Sequence, residues 1–207
     1  MKFLLVSDLH SSALALETIA RHSADLKPDF ILVAGDLTLF GPAGYVDELA
    51  LLGKVPILAV TGNCDTPDVV ERMKTVGISI CDDIKIVGPL DIAGVPWTGR
   101  KRIFEGLRPE LLAKLNERDK KRPFVVLSHC PAFSVLDEAR PGLHAGSQSI
   151  SDIVASEKPL ALLTGHVHES RGVAPLGGTV CVNAGPAMEG HAALVRYERG
   201  KLGVVLL

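Results

Sequence analysis

Three short runs constrain this chain more than anything else in it: residues 3–6, 30–34 and 56–60. Each is apolar throughout rather than at every second position. A strand that buries one face alternates apolar and polar residues, because successive side chains point to opposite sides. A strand without alternation is buried on both faces, the condition of a parallel sheet covered by helices. The segments between the runs read as those helices. Residues 12–26 place Leu16, Ile19, Ala20 and Ser23 on one face, and Pro28 closes the segment. A second helix is expected over residues 44–52. Thr66-Pro67-Asp68 then offers an N-cap, a first helical position and an acidic first turn for a third helix ending near Thr75.

The rest of the chain reads differently. Residues 84–87 and 90–93 flank Gly88-Pro89 as a hairpin, followed by a helix over 109–118 and a buried strand at 124–127. Residues 130–147 are rich in Pro and Gly and read as a long irregular, functional or mobile segment. A helix over 149–156 precedes a buried strand that carries His166 and His168. Residues 172–174, 179–183, 192–197 and 202–206, separated by Gly177-Gly178 and Arg199-Gly200, read as an antiparallel meander. The expectation is an α/β fold of two packed sheets with helices outside.

A chain of 207 residues, 47% hydrophobic, can bury such a core, and no linker or charge block divides it, so one domain over 1–207 is expected. The net charge of -2 gives no support for a dedicated nucleic-acid surface or a membrane-surface binder, and neither is expected. Arg118, Lys120, Lys121 and Arg122 read as a solvated helix end. The first six residues are too short a run for a signal peptide, no run is long enough to span a membrane, and four dispersed cysteines without a CxxC pair fit reduced thiols in a cytoplasm.

The chemistry gathers where the strands end. Asp8 and His10 follow the first strand, Asp36 the second, Asn63 the third, His129 a later one, and His166 with His168 the last. In open α/β sheets, ligands bind at the carboxyl ends of the strands. Taken singly, each residue has an ordinary reading: Asp36 as a turn, Asn63 as a helix entry, His129 as a core histidine, and His-x-His as a solvated loop. Two residues i and i+2 of an extended chain do share a face, however, so His166 and His168 could reach one volume. Seven such residues exceed the needs of one tetrahedral zinc. They suit two divalent ions sharing a carboxylate, and mixed nitrogen and oxygen donors favour manganese first, then iron, zinc, nickel or cobalt, over magnesium or calcium. Two such ions bind attacking and leaving oxygens and bring a bridging water to hydroxide near neutral pH. A small phosphate ester, possibly nucleotide-derived, complements that charge.

These residues resemble a known family. Asp8-x-His10, Gly35-Asp36, Gly62-Asn63-x-Asp65, Ser128-His129 and Gly165-His166-x-His168 are similar to the five ordered blocks of the calcineurin-like metallophosphoesterases. Gly-Asn-Cys-Asp in the third block, Gly142 to Ser147, and Gly165 to Glu169 are similar to a small single-domain branch of it. The resemblance implies a four-layer αββα sandwich of two mixed sheets. It implies one metal on Asp8, His10, Asp36 and His168, and another on Asp36, Asn63, His129 and His166, with Asp36 bridging. Val182-Asn183-Ala184-Gly185-Pro186 looks like the closing block, with Ala184 where Pro is more usual, and is read as a structural turn.

The expected function is a di-metal phosphodiesterase attacking with a metal-bridging hydroxide. A phosphomonoesterase is the alternative within enzymes, and a non-catalytic metal-binding scaffold for proteins, as in a retromer subunit of similar fold, the alternative outside them. Asp36, Asn63, Asp65, His129 and His144 form the expected catalytic set. Cys64 stands where most of the family has a His that helps protonate the leaving group, so that group either takes its proton from another residue, with His144 the candidate donor, or leaves unprotonated. Arg100 is a candidate phosphate contact, and residues 97–102 and 131–147 are expected pocket walls, with Trp97 and Phe133 as packing residues or base-stacking platforms. The oligomeric state is open.

Overall fold

The computed structural model describes residues 1–52, 54–97 and 106–207. Arg100 therefore lies outside the described residues. The three apolar runs form β1 (Lys2–Val6), β2 (Phe30–Ala34) and β3 (Ile57–Val60), parallel and in register from Val6 to Val33 and from Val33 to Ala59. Between them run α1 (Ala13–Leu26), capped by the Ser12 side chain, and α2 (Gly44–Leu51). The helix α3 (Pro67–Thr75) follows β3. The buried face of α1 is Ala15, Thr18 and Ile19. Ala20, expected on that face, is exposed, because the helix lies on the sheet one position round from the face expected.

The second sheet contains β4 (Asp83–Val87) and β5 (Leu90–Val95) as the expected hairpin, β6 (Phe124–Ser128), and β9 (Ala161–Thr164). Helices α4 (Pro109–Glu117) and α5 (Gln148–Glu157) flank β6 in sequence. Residues 130–147 are not wholly irregular: β7 (Glu138–Arg140) and β8 (Leu143–His144) form a small hairpin there. The expected meander is also corrected. β10 (Gly172–Leu176) and β11 (Thr179–Asn183) form one hairpin, and β11 joins β9 in parallel. β12 (Ala193–Glu198) and β13 (Lys201–Leu206) form another hairpin that returns to the first sheet, with β12 antiparallel to β1. The sheets are ordered β13-β12-β1-β2-β3 and β10-β11-β9-β6-β5-β4. Hairpin spacing was readable; which sheet each hairpin joins depends on contacts distant in sequence.

Alternation within each strand now has a meaning. Phe3, Leu5, Phe30, Leu32, Leu58 and Val60 face Ile92, Val125, Leu127, Ala161 and Leu163 between the sheets. The opposite sides of β1 to β3 pack on α1, α2 and α3. The opposite sides of β5, β6 and β9 pack on α4 and α5. The result is a four-layer αββα sandwich with two mixed sheets.

The basic cluster is only partly a solvated helix end. The Arg118 guanidinium lies 4.0 Å from the centre of the Phe124 ring, and Arg122 Nε donates to the buried Asp91 at 2.6 Å. Lys120 Nζ donates to Glu157 at 2.5 Å. Desolvated guanidinium stems over an aromatic ring stabilise packing, so these cations fasten α4 to β6 and α5.

Candidate metal centre

At the carboxyl ends of strands in both sheets the chain leaves through left-handed turns. Asp8, His10 and Asp36 have φ of 55°, 48° and 49°, and His166 has 71°. Such values are sparsely populated for residues with a Cβ and persist where surrounding contacts fix them. Here the contacts are interstrand. Asp8 N donates to Gly35 O at 3.1 Å, and the amides of Leu9 and His10 donate to Asp36 O at 2.8 and 3.1 Å. His166 and His168 are consequently not presented by an extended strand. β9 ends at Thr164, and a left-handed residue followed by a 3-10 turn (His168–Ser170) brings the two rings in. Asn183 on β11 supports that turn by donating to Val167 O at 2.8 Å.

The side chains then converge. Asp8 and Asp36 are buried, and His129 is fully buried. Asp8 Oδ2 accepts from His166 N at 3.0 Å, and Asp36 Oδ1 accepts from Cys64 N at 2.8 Å. Each carboxylate keeps its other oxygen for the centre. Asp8 Oδ1 lies 3.3 Å from His168 Nε2 and 3.8 Å from His10 Nε2. Asp36 Oδ2 lies 3.8 Å from His10 Nε2 and 3.5 Å from His129 Nε2. His129 Nδ1–H donates to Ala34 O at 2.8 Å, so Nε2 is the nitrogen that becomes a free donor atom when the ring is neutral; metal-ligating histidines are oriented by just such a bond from the far ring nitrogen. Asn63 Oδ1 and His166 Nδ1 approach that Nε2 to 3.1 and 3.2 Å. The structure thus brings together Asp8, His10, Asp36, Asn63, His129, His166 and His168.

A cation fits this geometry. Among the described residues, Asp8 with His10 and His168, and Asp8 with Asp36 and His129, each offer ligand atoms within 4.8 Å of one another. Asp8 Oδ1 is buried and without a hydrogen-bond partner, an expensive state that a metal ion would relieve. The electrostatics agree. Burial would raise the pKa of Asp36, but His129, the Cys64 amide and His10 outweigh it and hold the carboxyl well below the usual range. Burial likewise opposes protonation of His129, yet Asp36 and Asp8 push its pKa up to about 9. Burial and the neighbouring His129 bring His166 down to about 4. Two buried carboxylates demand positive charge, and without an ion they take it as a proton.

A pH dependence follows. Ligation needs neutral His129, which is protonated at pH 7 while metal-free, so ion uptake should expel its proton. Affinity should therefore rise at least about tenfold per pH unit between pH 6 and 8. Dissociation constants for Mn measured across that range would test this, and a flat profile would refute it.

Two expected site residues lie apart from the cluster. Asp65 spends both oxygens on loops: it accepts from Leu37 N (3.2 Å), Thr38 N (2.9 Å) and Gly62 N (2.9 Å). It joins the turn after β2 to the turn after β3. Burial, then repulsion from Asp36, raises its pKa to about 6. His144 sits exposed on β8, its Nδ1 2.8 Å from the buried Asp137. The hairpin borders the turn that carries His168, since Ser170 Oγ donates to Glu138 O at 2.9 Å.

The residue pattern carried no clear signal for the surroundings. Trp97 is buried against His129 and His166, with ring centroids 5.8 and 5.0 Å apart. It acts as packing, one of its two expected roles. A cavity of about 300 Å³ beside Asn63 is lined by Pro96, Trp97, Lys74 and Arg108, so the expected wall is joined by two cations from distant segments.

The chain matches the model of the calcineurin-like phosphoesterases over residues 1–170. It belongs to that family. The family supports a metal-dependent phosphoester hydrolase, and the five blocks all fall within the matched residues. An uncharacterized protein of Methanocaldococcus jannaschii, MJ1162, is 28% identical over 90% of this chain and 88% of its own length. TT1561 of Thermus thermophilus has a similar fold, with a TM-score of 0.75 and 21% identity, covering 99% of this chain and 97% of that one. A structure described as a novel archaeal phosphodiesterase overlays with a TM-score of 0.61 and 16% identity across the full length of both chains. No helix among the described residues is long and apolar enough to cross a membrane.

Proposed function

We propose that residues 1–207 form one domain acting as a two-metal phosphodiesterase on a small, nucleotide-derived ester. The observation that carries this reading is the convergence of seven ligand side chains on two adjoining points: the buried Asp8 Oδ1, faced by His168 and His10, and His129 Nε2, faced by Asn63 and His166, with Asp36 Oδ2 facing both His10 and His129. Asp8, His10, Asp36 and His168 are the proposed ligands of one ion; Asp36, Asn63, His129 and His166 are those of the other. Two divalent ions there would acidify a water and neutralise charge on the phosphate. Family membership and the archaeal phosphodiesterase of similar fold support ester hydrolysis over a scaffold role. The four free cysteines support a reducing, cytoplasmic setting.

The chain's own residues divide the remaining work. Ala34 O fixes the His129 tautomer, and Asp65 holds the loops that carry Asp36 and Asn63. His144 is the proposed proton donor. The hydrogen bond to Asp137 raises its pKa and takes up Nδ1, leaving Nε2–H for a departing oxygen. General acids contribute about 10²–10⁴ in rate, and more for alkoxides than for nitrophenolates. The metal-loaded protein should hydrolyse bis(nitrophenyl) phosphate faster than nitrophenyl phosphate. His144→Ala should slow alkyl esters about 10²-fold or more and nitrophenyl esters little. No turnover of either aryl substrate would favour the scaffold, and an unchanged alkyl-to-nitrophenyl ratio would remove His144 as the acid.

A further inference from the structure

The position where most of the family has a His holds a thiol in contact distance of the centre. We propose that Cys64 is a sulfur ligand of the ion held by His10 and Asp36, which adds a soft donor to the nitrogen and oxygen set. This rests on the metal-centre reading above.

Three observations carry it. Cys64 Sγ, a ring nitrogen of His10 and a carboxylate oxygen of Asp36 lie within 4.8 Å of one another, the spacing of atoms that share an ion. The residue is held in place: its amide donates to Asp36 Oδ1 at 2.8 Å, and it is buried. The sulfur is also an acceptor, since Asn63 Nδ2 donates to it at 3.3 Å while Asn63 Oδ1 faces His129. An amide N–H on a sulfur is the supporting hydrogen bond that a coordinated thiolate receives. The buried, unpartnered Asp8 Oδ1 lies 3.8 Å from His10 Nε2, so the adjoining donors also point into this space.

Coordination replaces the S–H proton, which leaves to solvent, and no redox step is involved. Two consequences follow. A thiolate shifts preference from manganese toward zinc, iron(II) and cobalt. A sulfur bound to metal also cannot protonate a leaving group, so that task falls to another residue.

The test uses the full-length protein, stripped with a chelator and titrated with Co²⁺ alone. The expected result is uptake accompanied by a near-ultraviolet sulfur-to-cobalt charge-transfer band that is absent in Cys64→Ser, although that variant still binds cobalt. Its preference for zinc over manganese should fall about tenfold or more. X-ray absorption of the zinc-loaded, unmutated protein should show a sulfur scatterer at about 2.3 Å, independent of any variant's folding. Stoichiometric cobalt without the band, or a band that persists in Cys64→Ser, overturns the assignment while leaving the metal centre intact. Failure of the unmutated protein to bind any cobalt overturns both.

Discussion

Asp36→Ala should abolish tight binding at both ion positions and lower turnover by about 10³-fold or more, the rate equivalent of several kcal/mol of lost charge stabilisation. Its free oxygen faces both His10 and His129, which belong to the two proposed ligand sets. The fold should persist. Removing Asp36 relieves its repulsion of Asp8 and Asp65 but loses the bond from Cys64 N and the pairing with His129. The metal-free variant should therefore melt somewhat below metal-free wild type. They should part further when Mn is added. At a hundred times its dissociation constant an ion stabilises the native state by about 2.7 kcal/mol. For a chain of this size that raises the wild-type melting temperature by roughly 5–10 °C, and the variant should show none of it. Near-normal turnover of Asp36→Ala in saturating Mn would sink the shared-ligand reading.

Gly165→Ala should be as damaging without touching a ligand. A Cβ at Gly165 would lie 1.8 Å from Ser7 Oγ and 2.4 Å from Asp8 Oδ2. Ser7 Oγ cannot retreat freely, because it donates to Ala34 O at 2.8 Å, the carbonyl that also orients His129. Asp8 Oδ2 is tied to His166 N. The methyl would therefore separate the turn carrying His166 and His168 from the turn carrying Asp8. Overpacking of this severity costs about 3 kcal/mol or more, and metal uptake should fall with it. Gly178→Ala and Gly203→Ala meet open space and should change stability by less than about 0.5 kcal/mol. Urea denaturation of the three variants makes the comparison, and a Gly165→Ala midpoint equal to wild type would show that the turns are free to separate.

Much of this was legible in the sequence, for local reasons. Runs without alternation marked β1, β2, β3, β6 and β9, because double-sided burial writes itself on every residue of a strand. Ligand-type residues at strand ends marked the seven that the structure brings together. What escaped depended on partners far away in the chain. The destinations of β11 and β12 are set by pairing with β9 and β1, and no turn residue encodes that. The left-handed turns at Asp8, His10, Asp36 and His166 replaced the extended geometry that His-x-His suggested. Asp65 entered with the block Gly62-Asn63-x-Asp65, and what the block did not say is that its oxygens accept from backbone amides of two turns. Trp97 carried no signal of the two imidazoles it covers.

The order β13-β12-β1-β2-β3 has a consequence in time. β1 emerges from the ribosome before the strands it pairs with, and its antiparallel neighbour begins only at Ala193. At about 5–20 residues per second, roughly 10–40 s pass before that neighbour exists. Through that interval the nascent chain presents an unpaired, largely apolar strand edge, the kind of surface that recruits chaperones or other nascent chains. The bond from Asp8 to His166 spans 158 positions, so the centre is equally late. The yield of active protein should therefore respond to synthesis speed and chaperone supply as well as to the stability of the finished sandwich.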